Sequence, residues 1–432
     1  MNHINHITTI IVNILFLGLF SVGIAQVIEG DVTLSTQAEV NSFSGTSITG
    51  NLTIYGLDIV DLSPLSTLDS VAGSLWVFGN PTLTNLTGLG NLASVGVGLS
   101  IEWNNALTHI DGLGNLSSVG EYVIIQYNPL LTELSLGNLS FVGGLLKVFD
   151  NTLLINLDSL SNLSSVGGHL KIEQNPALTD LDGLISLSSV GGDLEVFNND
   201  ALTNLDGLSS LYFVGGDLEI NNNDSLTNLG GLINLSSVSG RLYITGNSAL
   251  NHLDGLVNIA TIDSELIIGS NALLTNLAGL SNLHSLSDRL YIHHNPGLTD
   301  LSGLENLISV GDEVYIESNS MLTNLNALGQ LASVGGRLVI KSNASLDSYC
   351  GIYPLLNAAG LGGSYSVYDN LDNPTQQQIV DDGPCPIIIE GEVLLYTQED
   401  VNSFVGTAIT GDLIIQGSGI LSLLPLSVLE TV

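Results

Sequence analysis

The chain has 432 residues, 42 of them acidic and 6 basic, for a formal net charge of −36. Six cations are too few to grip a phosphate backbone or an anionic membrane surface, which excludes nucleic acid as a partner and attachment to acidic lipid. Apolar residues make up 44% of the chain, yet beyond residue 25 no apolar run approaches the roughly 18 residues of a spanning helix, so no membrane insertion is expected after signal removal.

Residues 10–25 (IIVNILFLGLFSVGIA) are apolar and end in Gly23-Ile24-Ala25, with small residues at the two positions a signal peptidase reads. A signal peptide over 1–25 is expected, the alternative being a retained anchor helix. Residues 26–71 read as an N-terminal cap and a first coil, in which Gly56 and Leu57 stand at the corner that later coils give to asparagine.

The unit V-x-x-x-L-x-I-x-x-N-x-x-L-T-x-L-x-G-L-x-x-L-x-x then recurs twelve times over 71–343, with a period of 24 and a single step of 23. A fixed period of this size marks a solenoid. In Asp217-Leu218-Glu219-Ile220-Asn221 apolar and polar residues alternate, which predicts a strand with Leu218 and Ile220 inward. Leu226, Leu229, Leu232 and Leu235 recur every three residues, the spacing of a turn-rich or 3₁₀-like return rather than an α-helix. One such coil cannot bury its leucines alone, so the units must stack into an all-β solenoid with one long parallel sheet and end caps.

Nine residues into every unit stands an asparagine: Asn80, Asn104, Asn128, Asn151, Asn175, Asn199, Asn223, Asn247, Asn271, Asn295, Asn319 and Asn343. Its amide offers two donors and an acceptor, enough to satisfy backbone groups at each bend, and a structural ladder is expected. Eight Asn-x-Ser/Thr triplets, Asn85, Asn115 and Asn162 among them, arise mostly from the repeated Asn-Leu-Ser phrase and carry no weight for glycosylation. Asp111, Asp158, Asp182, Asp206 and Asp254 share one corner; each is expected to accept backbone N–H groups at the start of a short helical turn, with Ca²⁺ as the weaker alternative.

Three positions per unit point outward from the strand, and all six cations fall there: Lys147, Lys171, Arg241, Arg289, Arg337 and Lys341. One column alternates in sign, Asp217, Arg241, Glu265, Arg289, Glu313, Arg337, as a register-fixing charge ladder or a mixed-charge recognition surface would. Aromatic residues mark the same face. Trp76, Phe78, Trp103, Tyr122, Tyr127, Phe149 and Phe197 gather in the N-terminal half, and Tyr243, Tyr291 and Tyr315 share a column. Candidate binding residues are therefore Trp76, Phe78, Trp103, Phe149, Phe197, Arg241, Tyr243, Arg289, Tyr291, Tyr315 and Arg337, with packing of large β-formers as the competing explanation.

Both cysteines, Cys350 and Cys385, lie in residues 344–386, which read as a C-terminal cap with two short helices. In an exported chain they predict one disulfide; a metal pair would lack further ligands. Residues 389–432 repeat 28–71 with 26 of 44 positions identical, so 387–432 reads as the truncated start of a second copy, poorly ordered unless docked.

The phrase Leu-x-Ile-x-x-Asn-x-x-Leu-Thr-x-Leu-x-Gly-Leu resembles the receptor L-domain, over roughly residues 28–386. That resemblance implies a right-handed, leucine-rich-repeat-like β-helix of extracellular binding or adhesion proteins, here of the bacterial secreted or cell-surface type. No ligand contact carries over. Neither a nucleophile elbow nor a phosphate-cradling loop nor an HExxH helix is present, and the adjacent His293-His294 would face opposite sides of its strand by alternation. The expectation is a secreted or cell-surface module, not an enzyme and without cofactor or metal, that recognises an extracellular protein or glycan through its sheet face. A structural spacer, or an accessory domain of a polysaccharide-processing system, is the alternative.

Overall fold

The computed structural model describes residues 26–386 without a break, and 388–429 apart from 390–392, 407 and 417–419. The expected signal peptide lies outside the described residues. One coil shows how the chain folds. From Phe213–Val214 it bends, runs as the strand Leu218–Asn221, bends again, and returns through the 3₁₀ turn Gly230–Leu232. Leu218, Ile220, Leu226, Leu229, Leu232 and Leu235 are all fully buried. The next coil lies in register on it, Leu218 beside Leu242 and Ile220 beside Ile244, so each leucine is covered by its counterparts in the coils before and after. Burial of each such side chain contributes about 1.5 to 3 kcal/mol.

The stack carries two parallel sheets where one was expected. A 15-stranded sheet runs from Val32–Leu34 to Tyr365–Tyr368, and beside it a 14-stranded sheet runs from Val27–Ile28 to Ser333–Val334. Strands of the second sheet are two residues long, most of them the Ser-Val at the start of a unit. The valine points into the core and the chain bends immediately afterwards, leaving too short a segment for period-two alternation to register in the sequence. At about 4.8 Å per strand the larger sheet spans roughly 65 to 70 Å.

Both ends are closed. At the N-terminus the helix Gln37–Asn41, started by a Thr36–Glu39 capping box, buries Val40 over the first coil. At the C-terminus two helices, Tyr353–Asn357 and Gln376–Asp382, bury Leu355 and Ile379, and Cys350 and Cys385 are joined in a disulfide. Between the helices lies a strand absent from the sequence reading, Tyr365–Tyr368, which pairs with Leu338–Lys341. Tyr365-x-Val367-x-x-Asn370 is the unit's Leu-x-Ile-x-x-Asn with an aromatic residue for leucine. Asn370 follows Asn343 at a spacing of 27, against 24 between Asn319 and Asn343. In the second copy, Ile388–Ile389 pairs with Ala408–Ile409 and Val393–Leu395 with Leu413–Ile415, around a helix Gln398–Ser403 with its own Thr397–Asp400 capping box. The same pairings open the first copy, Val27–Ile28 with Ser47–Ile48 and Val32–Leu34 with Leu52–Ile54.

Candidate binding face

All twelve ladder asparagines are fully buried. Asn223 is representative: its Nδ2 donates to the carbonyls of Val196 (3.0 Å) and Asn221 (3.1 Å) and to Asn247 Oδ1 (3.3 Å). Its Oδ1 accepts from Asn199 N (3.0 Å) and Nδ2 (3.3 Å). The ladder runs one rung further than the repeat, because Asn343 donates to Asn370 Oδ1 at 3.0 Å through both N and Nδ2. Its first rung is incomplete. Asn80 Oδ1 is buried without a hydrogen-bond partner, since the strand register, with Ile54 beside Val77, puts Leu57 at the ladder position of the preceding coil.

The residue before each rung is in the left-handed region: ten non-glycine residues from Trp103 (φ 59°) to Ser342 (φ 58°), with Gly79 and Gly246 completing the twelve coils and Asp369 (φ 58°) preceding the added rung. A non-glycine residue there costs on the order of 1 to 2 kcal/mol. Turning the next side chain inward to the ladder requires it. This column also corrects the histidine expectation. His294 has φ 53°, so alternation fails at that point and His293 Nδ1 and His294 Nδ1 lie 3.2 Å apart.

Every lysine and arginine is paired across strands. Arg241 bonds Asp217 through Nε (3.0 Å) and an Nη (2.9 Å) and reaches Glu219 at 2.9 Å. Arg289 holds Glu265 at 2.8 Å and Arg337 holds Glu313 at 2.7 Å. Lys171 meets Glu195 at 2.6 Å, Lys341 meets Glu317 at 3.0 Å, and Lys147 meets Glu173 at 3.5 Å. Burial raises the carboxyls of Glu173 and Glu219 above the ordinary glutamate value, with neighbouring Glu195 adding to the effect. Burial acts on Glu317 in the same sense but is outweighed by hydrogen bonds from Lys341 and Tyr291, leaving its carboxyl lowered. Tyr291 in turn is pushed up to about 12, by burial first and then by its bond to Glu317.

The aromatic candidates separate into groups. Trp76 donates its Nε1 to Tyr122 Oη (3.0 Å), and the Tyr122 ring lies flat over Gly98, where a Cβ would be 2.1 Å from it. Tyr291 and Tyr315 meet edge to face at 4.9 Å. Tyr243, with Ile267 between it and Tyr291, and Phe197 make no ring contact among the described residues. The third group follows the rim where the first strands end, and one ring comes from each of five successive coils: Tyr55, Phe78, Trp103, Tyr127 and Phe149. Tyr55 stacks on Phe78 at 5.4 Å, Trp103 on Tyr127 at 3.9 Å, and Tyr127 meets Phe149 edge-on at 5.2 Å. Trp103 is 54% exposed. A shallow depression of about 160 Å³ beside it is lined by Asn105, Tyr127, Pro129 and Asp150. Tyr55 belongs to the cap coil, outside the repeat, so the period of the repeat carries no signal for it.

The aspartate corner also differs from expectation. Asp158, Asp182 and Asp206 occupy the first position of their 3₁₀ turns and cap nothing. The capping oxygen belongs two residues earlier: Asn156 Oδ1 accepts from Asp158 N, Asp180 Oδ1 from Asp182 N and Asn204 Oδ1 from Asp206 N. A second asparagine column ties successive coils together on the return path. Asn115, Asn162 and Asn234 of the Asn-Leu-Ser phrase donate Nδ2 to the carbonyls of Gly90 (2.6 Å), Gly137 (2.6 Å) and Ser209 (2.7 Å) on the preceding coil.

These features define a parallel β-solenoid with paired charges and a rim of stacked rings. No family model matches the chain, and a search of curated proteins finds no match.

Proposed function

We propose that the chain is a secreted or cell-surface binding module that recognises an extracellular protein or glycan through the face and rim of its larger sheet. The observation that carries this reading is the pair Trp103 and Tyr127. They are large rings held in left-handed backbone, at a column where the other coils carry glycine or small, polar or imidazole side chains. The ladder sets this backbone in every coil but does not call for a ring, and a large ring kept at a position that favours small residues, with Trp103 54% exposed, supports a working surface. A row of stacked rings flanked by the Asn105 amide and the Asp150 carboxylate offers flat apolar area with hydrogen-bonding groups at its edge, as both sugar rings and protein side chains require. Export is supported by the apolar segment 10–25 and by the disulfide. The receptor L-domain resemblance supports the same reading. No helix among the described residues is long and apolar enough to cross a membrane.

The charged candidates contribute less to recognition than to cohesion, because Arg241, Arg289 and Arg337 are engaged with carboxylates of adjacent strands. That full pairing favours a second reading, a spacer whose length is its role. Arrays of extracellular glycans and proteins, probed with the full chain, separate the two. A ligand lost when Trp103 and Tyr127 are both changed to Ser supports recognition at the rim, whereas a ligand lost only in Tyr291→Ser/Tyr315→Ser moves it to the other aromatic group. Retention in both variants removes the sheet face from consideration, and no ligand at all leaves the spacer.

A further inference from the structure

The repeat is interrupted once between its caps. The coil that starts at Val119 is the short one, the next beginning already at Val142; Thr132-Glu133-Leu134-Ser135-Leu136 stands where the next coils read Thr-x-Leu-x-Gly-Leu or its near equivalent, and the position lost is the one usually filled by glycine. No 3₁₀ turn forms in that coil. The two residues that fill the capping column here also depart from it. Eight coils place Asn or Asp there, from Asn85 to Asn324, with Oδ1 accepting the N–H two residues on. Two consecutive coils place His109 and Glu133 instead.

Their side chains converge. His109 Nδ1 lies 3.5 Å from Glu133 Oε1, and with an oxygen of Asp111 the three donor atoms are all within 4.8 Å of one another. His109 Nδ1 is shielded from solvent and makes no hydrogen bond, so the imidazole has not taken over the capping role of the asparagine it replaces. Asp111 is oriented by Ser135 Oγ at 2.8 Å, from the shortened coil.

We propose that His109, Asp111 and Glu133 form a site for a divalent transition metal of the Zn²⁺ class, fastening the shortened coil to the one before it. One imidazole and two carboxylates are a donor set that Zn²⁺ accepts, with water in the remaining position. Ligands about 2.0 to 2.2 Å from such an ion in tetrahedral geometry stand roughly 3.3 Å apart, close to the His109–Glu133 separation. Small rotations of the two exposed carboxylates bring in the third donor. The two negative charges balance the dication, and Ser135 supplies the outer-shell bond that such ligands use. The proposal is independent of what the aromatic rim binds.

His252 provides an internal control. It occupies the same column with the same unpartnered Nδ1 and an aspartate nearby, Asp254 at 3.3 Å, but the next coil has Asn276 where Glu133 follows His109. The full chain, stripped with EDTA, is titrated calorimetrically with ZnCl₂ in excess Ca²⁺, which occupies nonspecific acidic sites. The expected result is a single one-equivalent phase, weakened at least tenfold by His109→Asn and by Glu133→Gln and unchanged by His252→Asn. Because His109→Asn restores the residue this column prefers, its fold should survive, and a Zn²⁺-induced rise in melting temperature should be present in the parent chain and lost in this variant. Absence of the phase, its persistence in His109→Asn, or its equal loss in His252→Asn overturns the proposal.

Discussion

Asn223 touches two carbonyls and two neighbouring rungs, and no water-facing residue can replace it. Changing it to Ala leaves Val196 O, Asn221 O and Asn199 N without these bonds, at about 1 to 3 kcal/mol for each buried group left unpaired. Chemical denaturation should show a loss several times larger than for Asn162→Ala, whose exposed amide makes one bond to Gly137 O; equal losses would contradict the ladder's role. The ladder was legible in the sequence because one residue type recurs without exception. The left-handed residue before it was not, since Trp103, Gln174, His294 and Ser318 share no side-chain chemistry. What they share is a backbone dihedral, and that leaves no trace in composition. The five-ring rim was half legible for a related reason: its rings come from two adjacent columns and from the cap, so no single periodicity joins them.

Among the elements, the 3₁₀ returns show how tightly successive coils approach. A Cβ on Gly231 would fall 1.7 Å from Leu205 O, and the same holds for Gly207 against Leu181 O. Ser159 and Ala327 fill the same column in turns that still form, so Gly231→Ala requires a local shift of the coil and should destabilise by about 1 kcal/mol, the low end of overpacking; an unchanged denaturation midpoint would show that the turn relaxes freely. The three-residue leucine spacing announced these turns correctly. The corner aspartates do not cap as they would in an α-helix, because in a turn only three residues long the side chain two positions earlier reaches the first N–H instead. The second sheet and the Tyr365–Tyr368 strand were missed because two residues are too few to alternate, and because the cap stretches the spacing from 24 to 27.

For the whole molecule, the formal charge of −36 sets the response to pH. Glu173 and Glu219 hold their protons more tightly folded than unfolded. The stability they confer is full below the unfolded glutamate value and is lost as pH rises through their raised folded values. Glu317 acts in reverse, supporting the fold until pH falls through its lowered value. Protonation also relieves repulsion along columns such as Asp158, Asp182 and Asp206, where burial and the neighbouring acids raise Asp182. The melting temperature should therefore rise as pH is lowered from about 8 to about 5, and added salt should raise it most at the upper end. A melting temperature that falls over that interval would show that the cross-strand pairs outweigh the repulsion.

Because every interior asparagine uses the same partners one coil away, no rung records how many others exist. Leu57 at one end and Asn373, whose Oδ1 accepts from Asn370 N and Nδ2 at the other, are the positions that say where counting starts and stops. A coil can be added or removed between them without any bond changing its type. The length of this stack is thus adjustable in increments of one strand spacing, by duplication of a single repeat, while both closures and the aromatic rim stay as they are.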